Sequence, residues 1–171
     1  LSEDTKPLIP DFLHHGFTVV TSLQPFSMAL GLVEFVHPPA EAAAQFAPSV
    51  RFHTDGDYLM WSLNAPGARF ASSDRELFQM DGLQLQQLVL RKVKSWHPNL
   101  RSLVAASDPA EIFPLAVRVS APCEPWQSAP ITLLGDAIHA MSPAGGSGAN
   151  MALLDARLLC QTLIAIAHAE K

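Results

Sequence analysis

The stretch from Ile131 to Asp155, ITLLGDAIHAMSPAGGSGANMALLD, decides how the rest of the chain is read. It opens on Ile131, Thr132, Leu133 and Leu134, an apolar and β-branched run short enough to be a strand buried on both faces. Gly135 and Asp136 end that run. A glycine-rich turn, Ala144-Gly145-Gly146-Ser147-Gly148, then leads into an apolar-periodic segment carrying Met151, Leu154, Leu158 and Ile166, which the spacing predicts to be a helix. The expected order is strand, acid, glycine loop, helix.

That order has chemical content. An aspartate fixed at the carboxyl end of a strand accepts hydrogen bonds and donates none at neutral pH, so it suits a ligand rich in hydroxyl donors, such as a sugar or ribityl chain. Glycines just before a helix let a flat ligand approach the main chain. The unused N–H groups of the first turn, with the positive end of the helix dipole, favour negative charge there. Taken singly, each residue has a plainer account: Asp136 as a turn cap, Pro143 as a strand end, Gly148 as the start of a core helix.

Taken together they resemble a known pattern. GDAIHAMSPAGGSGANMALLDA is similar to the second flavin-contacting motif of the FAD-dependent aromatic hydroxylases, the family built like para-hydroxybenzoate hydroxylase, with Gly135, Asp136, Ala137, His139, Pro143, Gly146, Gly148, Asn150 and Asp155 in register. The resemblance implies that Asp136 meets the ribityl chain and that Pro143 lies beside the isoalloxazine ring. It also implies that main-chain amides from Gly146 through Ser147, Gly148 and Ala149 to Asn150 face the flavin pyrimidine edge, with Gly135 setting the turn. A reduced flavin carries negative charge on that edge, as the helix N-terminus requires. His139 is expected to hold the loop and to transfer no proton.

Bulk properties narrow the class. A chain of 171 residues that is 49% hydrophobic supports a real core. A net charge of −5 disfavours a nucleic-acid partner, which needs clustered Lys and Arg. Arg91, Lys92 and Lys94 read as a solvated face. Cys123 and Cys160 form no C-x-x-C and no disulfide framework, which fits a reducing, cytoplasmic compartment. No run of about 18 consecutive apolar residues is present, so no membrane span is expected. The chain begins at Leu1, and nowhere shows the G-x-G-x-x-G turn that seats an FAD pyrophosphate. It therefore looks like the second half of a longer hydroxylase.

Upstream of the motif, Leu1 to His15 reads as a connector with a short turn around Phe12 and Leu13. Phe17–Ser22, Phe26–Val36 and Asp57–Ala65 carry the composition of three strands, the first two a hairpin. Pro38–Ala47 reads as a short helix, Pro66–Asp81 as a surface connection, and Leu83–Leu103 as helical with a break at His97-Pro98. Ser107–Ala110 is an expected turn and cap. Glu111–Ser120 is expected to be an irregular edge strand containing Pro114, for which the resemblance implies Arg118 near a domain junction, and Pro122, Pro125 and Pro130 make a stiff connector around Trp126.

The fold class expected is α/β or α+β. A mixed substrate-domain sheet with packed helices occupies residues 1–120, and the last strand-loop-helix of an FAD-binding Rossmann-like domain occupies 121–171, an incomplete fold. The family places such a sheet over the flavin, so Met28, Leu30, Met60, Trp61 and Leu63 are candidates for an apolar substrate wall. His14, His15, His37, His53, His97, His139 and His168 show no metal-ligand spacing, and Gly145-Gly146-Ser147-Gly148-Ala149 fails the hydrolase elbow at Ala149. No metal and no side-chain nucleophile are expected. The resemblance implies an FAD monooxygenase that uses NAD(P)H and O2 to hydroxylate a small aromatic substrate. The alternatives are a non-catalytic remnant and a related flavin oxidoreductase or halogenase.

Overall fold

The computed structural model describes residues 6–23, 25–50, 56–122, 124, 127 and 129–169. His53, Cys123 and the Pro125-Trp126 part of the connector lie outside the described residues. The chain divides into two compact units, Leu1–Pro114 and Leu115–Lys171.

The first unit is built on an antiparallel sheet of three strands, β1 (Thr18–Thr21), β2 (Ser27–Val33) and β3 (Tyr58–Asn64), in the order β1-β2-β3. All three fall where β-branched and aromatic density predicts them. The register pairs Leu30 with Thr18 and with Trp61, Met28 with Val20 and with Leu63, and Gly31 with Met60. Side chains alternate across a strand, so Met28, Leu30, Trp61 and Leu63 share one face and Met60 points from the other.

Val89, Val93 and Val104, from the helical stretch after β3, pack on the first of those faces. Helix α1 (Pro39–Phe46) starts on a proline whose missing N–H is not needed there, and α2 (Asp74–Leu77) is a single turn. Helices α3 (Gly82–Lys92) and α4 (Pro98–Ala105) replace the one long helical run, and the break falls at His97-Pro98 as expected. Each starts on a side-chain cap. Asp81 accepts from Gln84 N–H at 2.8 Å while Gln84 accepts from Asp81 N–H at 3.0 Å, and His97 Nδ1 accepts from Asn99 N–H. Leu13, Met28, Leu30, Val89, Val93 and Val104 form the core, with Trp61, Leu63 and Trp96 packed against it.

Buried polar groups in this unit are paired. Gln86 Nε2 donates to the carbonyls of Val104 and Ser107, both at 2.9 Å, and so joins α3 to the end of α4. Trp61 Nε1 donates to Ser107 Oγ at 2.7 Å, and that hydroxyl donates on to Leu103 O. The Pro66–Asp81 connection is more ordered than expected. It holds a 3-10 turn at Gly67–Phe70 and α2, which starts on a capping box between Ser73 and Glu76.

Two expected strands are not formed. Ile131–Leu134 forms no strand, and its residues are exposed, Ile131 to 74%. A strand buried on both faces needs strands on both edges, and among the described residues no strand pairs with it. Asp136 accordingly opens a one-turn helix, α5 (Asp136–His139), instead of closing a strand. Glu111–Ser120 is likewise not a strand. Glu111 ends a 3-10 turn from Pro109, capped by Asp108, and Pro114 removes a ladder donor. Ser120 N–H does donate to Ala140 O, but the return bond from Ala140 N–H goes to the Ser120 hydroxyl, which ends the ladder after one rung. The predicted helix is present as α6 (Gly148–Ala169), 22 residues with none buried.

Candidate flavin site in the second unit

The glycine turn is shaped by its residues one by one. Gly135 has φ +56° and ψ −134°, a backbone conformation open to glycine and strained for other residues. A Cβ placed there would also stand 3.0 Å from Ala152 Cβ. Ser142 Oγ accepts from Ala144 N–H and starts a 3-10 turn, Pro143–Gly145, which closes when Gly146 N–H donates to Pro143 O at 3.0 Å. Gly146 sits at φ +61° with open space where a side chain would be. Met151 N–H is the first to bond back along α6, to Ser147 O. Gly148, Ala149 and Asn150 thus present main-chain N–H groups for which the helix has no acceptor.

These elements enclose an open concavity of about 550 Å3, lined by Asp136, Met141, Ser142, Pro143, Gly146, Gly148, Ala149 and Ala152. Of the residues expected to hold cofactor, Asp136, Pro143, Gly146, Gly148 and Ala149 line it. Gly135, Ser147 and Asn150 do not. Gly135 is buried behind the turn, and Ser147 donates its hydroxyl to Gly145 O at 3.0 Å. Met141, Ser142 and Ala152 line the concavity without having been singled out. Ala152 was readable, since it sits one helical turn after Gly148 on the same face. Met141 carried no comparable signal.

Two titratable groups flank the turn. His139 Nε2 and Asp155 Oδ2 are 2.5 Å apart, and the same carboxylate oxygen accepts from Gly135 N–H at 3.0 Å. The Gly135 N–H, then the His139 ring, hold the Asp155 carboxyl below its ordinary value. Its hydrogen bond to Asp155 raises the His139 imidazole above its own, with the Asp155 and Asp136 charges adding to this. His139 therefore ties the loop to α6, the holding role expected of it.

The five candidates for a substrate wall do not share a face. Met28 and Leu30 are buried in the core at 0% and 1% exposure, with Trp61 and Leu63 packed against them, whereas Met60 is 47% exposed on the opposite face. Among the described residues no cluster of His, Cys, Asp and Glu could hold a metal ion. By length and composition α6 is long and apolar enough to cross a membrane. Its Asp155 is engaged by Gly135 and His139, and a carboxylate there would be costly in hydrocarbon.

Residues 90–170 match the family described as FAD binding domain. The chain is 37% identical over 116 residues to the dual O-methyltransferase/FAD-dependent monooxygenase CTB3 of Cercospora beticola, a match covering 63% of this chain and 13% of that protein. It is 41% identical over 64 residues to 6-hydroxynicotinate 3-monooxygenase of Bordetella bronchiseptica, covering 37% of this chain and 16% of that protein. A crystal structure assigned as an FAD-containing monooxygenase from Photorhabdus luminescens subsp. laumondii superposes over 100% of this chain and 43% of its own, with a TM-score of 0.73 and 30% identity. The chain thus spans less than half the length of each of these relatives. The motif, the family match over residues 90–170 and the shared fold make the chain similar to the FAD-dependent aromatic hydroxylases.

Proposed function

We propose that the second unit holds the pyrimidine edge of FAD and that the chain forms part of an NAD(P)H-dependent monooxygenase acting on a small aromatic substrate. The observation that carries this is the concavity of about 550 Å3, open to solvent, lined by Asp136 and by Gly148 and Ala149 at the start of α6. The residues fit the group. Gly146 leaves its approach clear, Pro143 presents a flat apolar surface, and the amides of Gly148, Ala149 and Asn150 offer donors at the positive end of a long helix. Asp136 is exposed and free to accept from a polyol chain.

When bound, FAD would supply the redox and oxygen-transfer chemistry. The chain's own task is to orient the ring through Pro143, stabilise negative charge through the α6 amides, and anchor the hydroxyl chain through Asp136. A side-chain nucleophile has no place in this scheme. On the open face of the sheet, Met60 is the substrate-wall candidate that the geometry leaves available.

The test is a visible spectrum of the purified chain reconstituted with FAD, followed by the same measurement on Asp136→Ala. Bound flavin bands that weaken by roughly tenfold in affinity in the variant are expected, about the effect of one charge-assisted hydrogen bond. Equal retention by both proteins would reject the role of Asp136. Oxygen uptake with substrate-dependent NAD(P)H oxidation then tests the reaction class. A second reading, a folded chain that retains no flavin by itself, is favoured by α6, none of whose residues is buried. A colourless protein after reconstitution would select it.

A further inference from the structure

Helix α5 has four residues and no side-chain N-cap, far too little to be stable alone, yet it carries Asp136. What holds it is on another element. Asp155, on α6, accepts from Gly135 N–H at 3.0 Å and contacts His139 Nε2 at 2.5 Å, both through Oδ2. Gly135 is the residue before α5 and His139 is its last, so a single carboxylate oxygen grips the short helix at both ends. The His139 ring has no second partner, because its Nδ1 is buried without a hydrogen bond. The backbone reinforces the grip: the missing Cβ of Gly135 lets Ala152, one turn before Asp155, close against it. Asp136, Gly148, Ala149 and Ala152 line one concavity, so this seam sets the distance between its two sides.

We propose that Asp155 is a positioning residue: through Gly135 and His139 it fixes α5, and with it Asp136, relative to the N-terminal amides of α6. The consequence for flavin rests on the cofactor reading given above. The residue itself does not line the concavity and touches no ligand in this role.

The test uses the chain with Asp155→Ala and Asp155→Asn, read by hydrogen exchange and by fluorescence quenching on titration with FAD. Asn keeps an acceptor oxygen at the same position, so the two variants separate geometry from the mere presence of a side chain. Asp155→Ala is expected to speed exchange in peptides spanning 135–140 and to weaken FAD binding, each by roughly tenfold, while peptides spanning 82–105 stay unchanged. Asp155→Asn is expected to recover most of both effects. Exchange at 135–140 that is unaltered in Asp155→Ala, or an Asn variant no better than Ala, would overturn the proposal. If Asp155→Ala also loosens 82–105 and so fails to fold, the comparison of Asn with the unsubstituted chain decides, with slow exchange at 135–140 supporting it and fast exchange overturning it. An unsubstituted chain that binds no FAD sinks the cofactor reading alone, and the exchange at 135–140 still decides the role of Asp155.

Discussion

Residues Leu1–Pro114 and Leu115–Lys171 are held together by different physics. In the first unit, side chains from β2, α3 and α4 are removed from water almost completely, with Met28, Val93 and Val104 at 0% exposure. In the second, α6 has no buried residue, and the turn before it is fixed by a positive-φ glycine and by the hydrogen bonds of Ser142, Asp155 and His139. Burial is cooperative and tolerates changes on its surface, whereas a hydrogen-bonded turn depends on a few atoms each in one place. The proposed flavin site falls in the second unit, where main-chain amides and a carboxylate are not consumed by a core and can meet a ligand.

The sharpest way to break this comparison is to damage the core. Leu30→Ala removes a side chain at 1% exposure and is expected to cost about 2–5 kcal/mol, measured by urea denaturation. A loss no larger than that of a surface change would show that the first unit is not organised by its core. Next in size is Gln86→Ala, which takes the Nε2 donor from the carbonyls of Ser107 and Val104, the latter keeping only backbone N–H donors, and is expected to cost roughly 1–3 kcal/mol. Gln86→Glu sharpens the point, since a carboxylate cannot donate to either carbonyl and should be worse than Ala.

Much of this was legible before the structure. The three strands follow from β-branched density, the split of α3 from α4 from His97-Pro98, and the start of α6 from Gly148. What was missed has physical causes. Whether Ile131–Leu134 is a strand depends on neighbours that a local run of apolar residues cannot reveal, so the run predicts Asp136 at a strand end, and it stands instead at the first position of α5. Likewise, alternation within single strands does not relate Met28 to Met60; the register puts them on opposite faces, and packing of Met28 with Val89, Val93 and Val104 shows which face the helices cover. Asp155 stood in the motif, yet its work was hidden, because its two partners lie 20 and 16 residues back along the chain. The Ser73–Glu76 capping box has its signal in S-x-x-E, within a segment whose Gly67, serines and scattered charge predict a surface connection.

A smaller effect is expected at the start of α3. Asp81→Ala removes the side-chain acceptor for Gln84 N–H and half of a reciprocal cap, an expected loss of about 1 kcal/mol by urea denaturation. Asp81→Asn should keep most of the cap, because its side-chain oxygen still accepts. If Ala and Asn behave alike, the hydrogen bond contributes nothing and α3 stands on its buried face alone.

The smallest effect is local and depends on pH, and it belongs to the second unit only. The His139 value is raised above 6.5, so the contribution of its charged form is fully present below about 6.5 and is lost as pH rises through the raised value. The Asp155 value is lowered below 3.8, so its contribution is present above about 3.8 and is lost as pH falls through the lowered value. Between those limits both members are charged and the grip on α5 is strongest. Above them His139 becomes neutral, and Nε2–H can still donate to Asp155, so the seam weakens without opening. An NMR titration of the ring should therefore give a midpoint above 6.5 that falls in Asp155→Asn, while the melting temperature of the first unit stays level across the same range. A midpoint unchanged by Asp155→Asn would mean that the carboxylate does not set the charge of this ring, and the electrostatic half of the contrast between the two units would go with it.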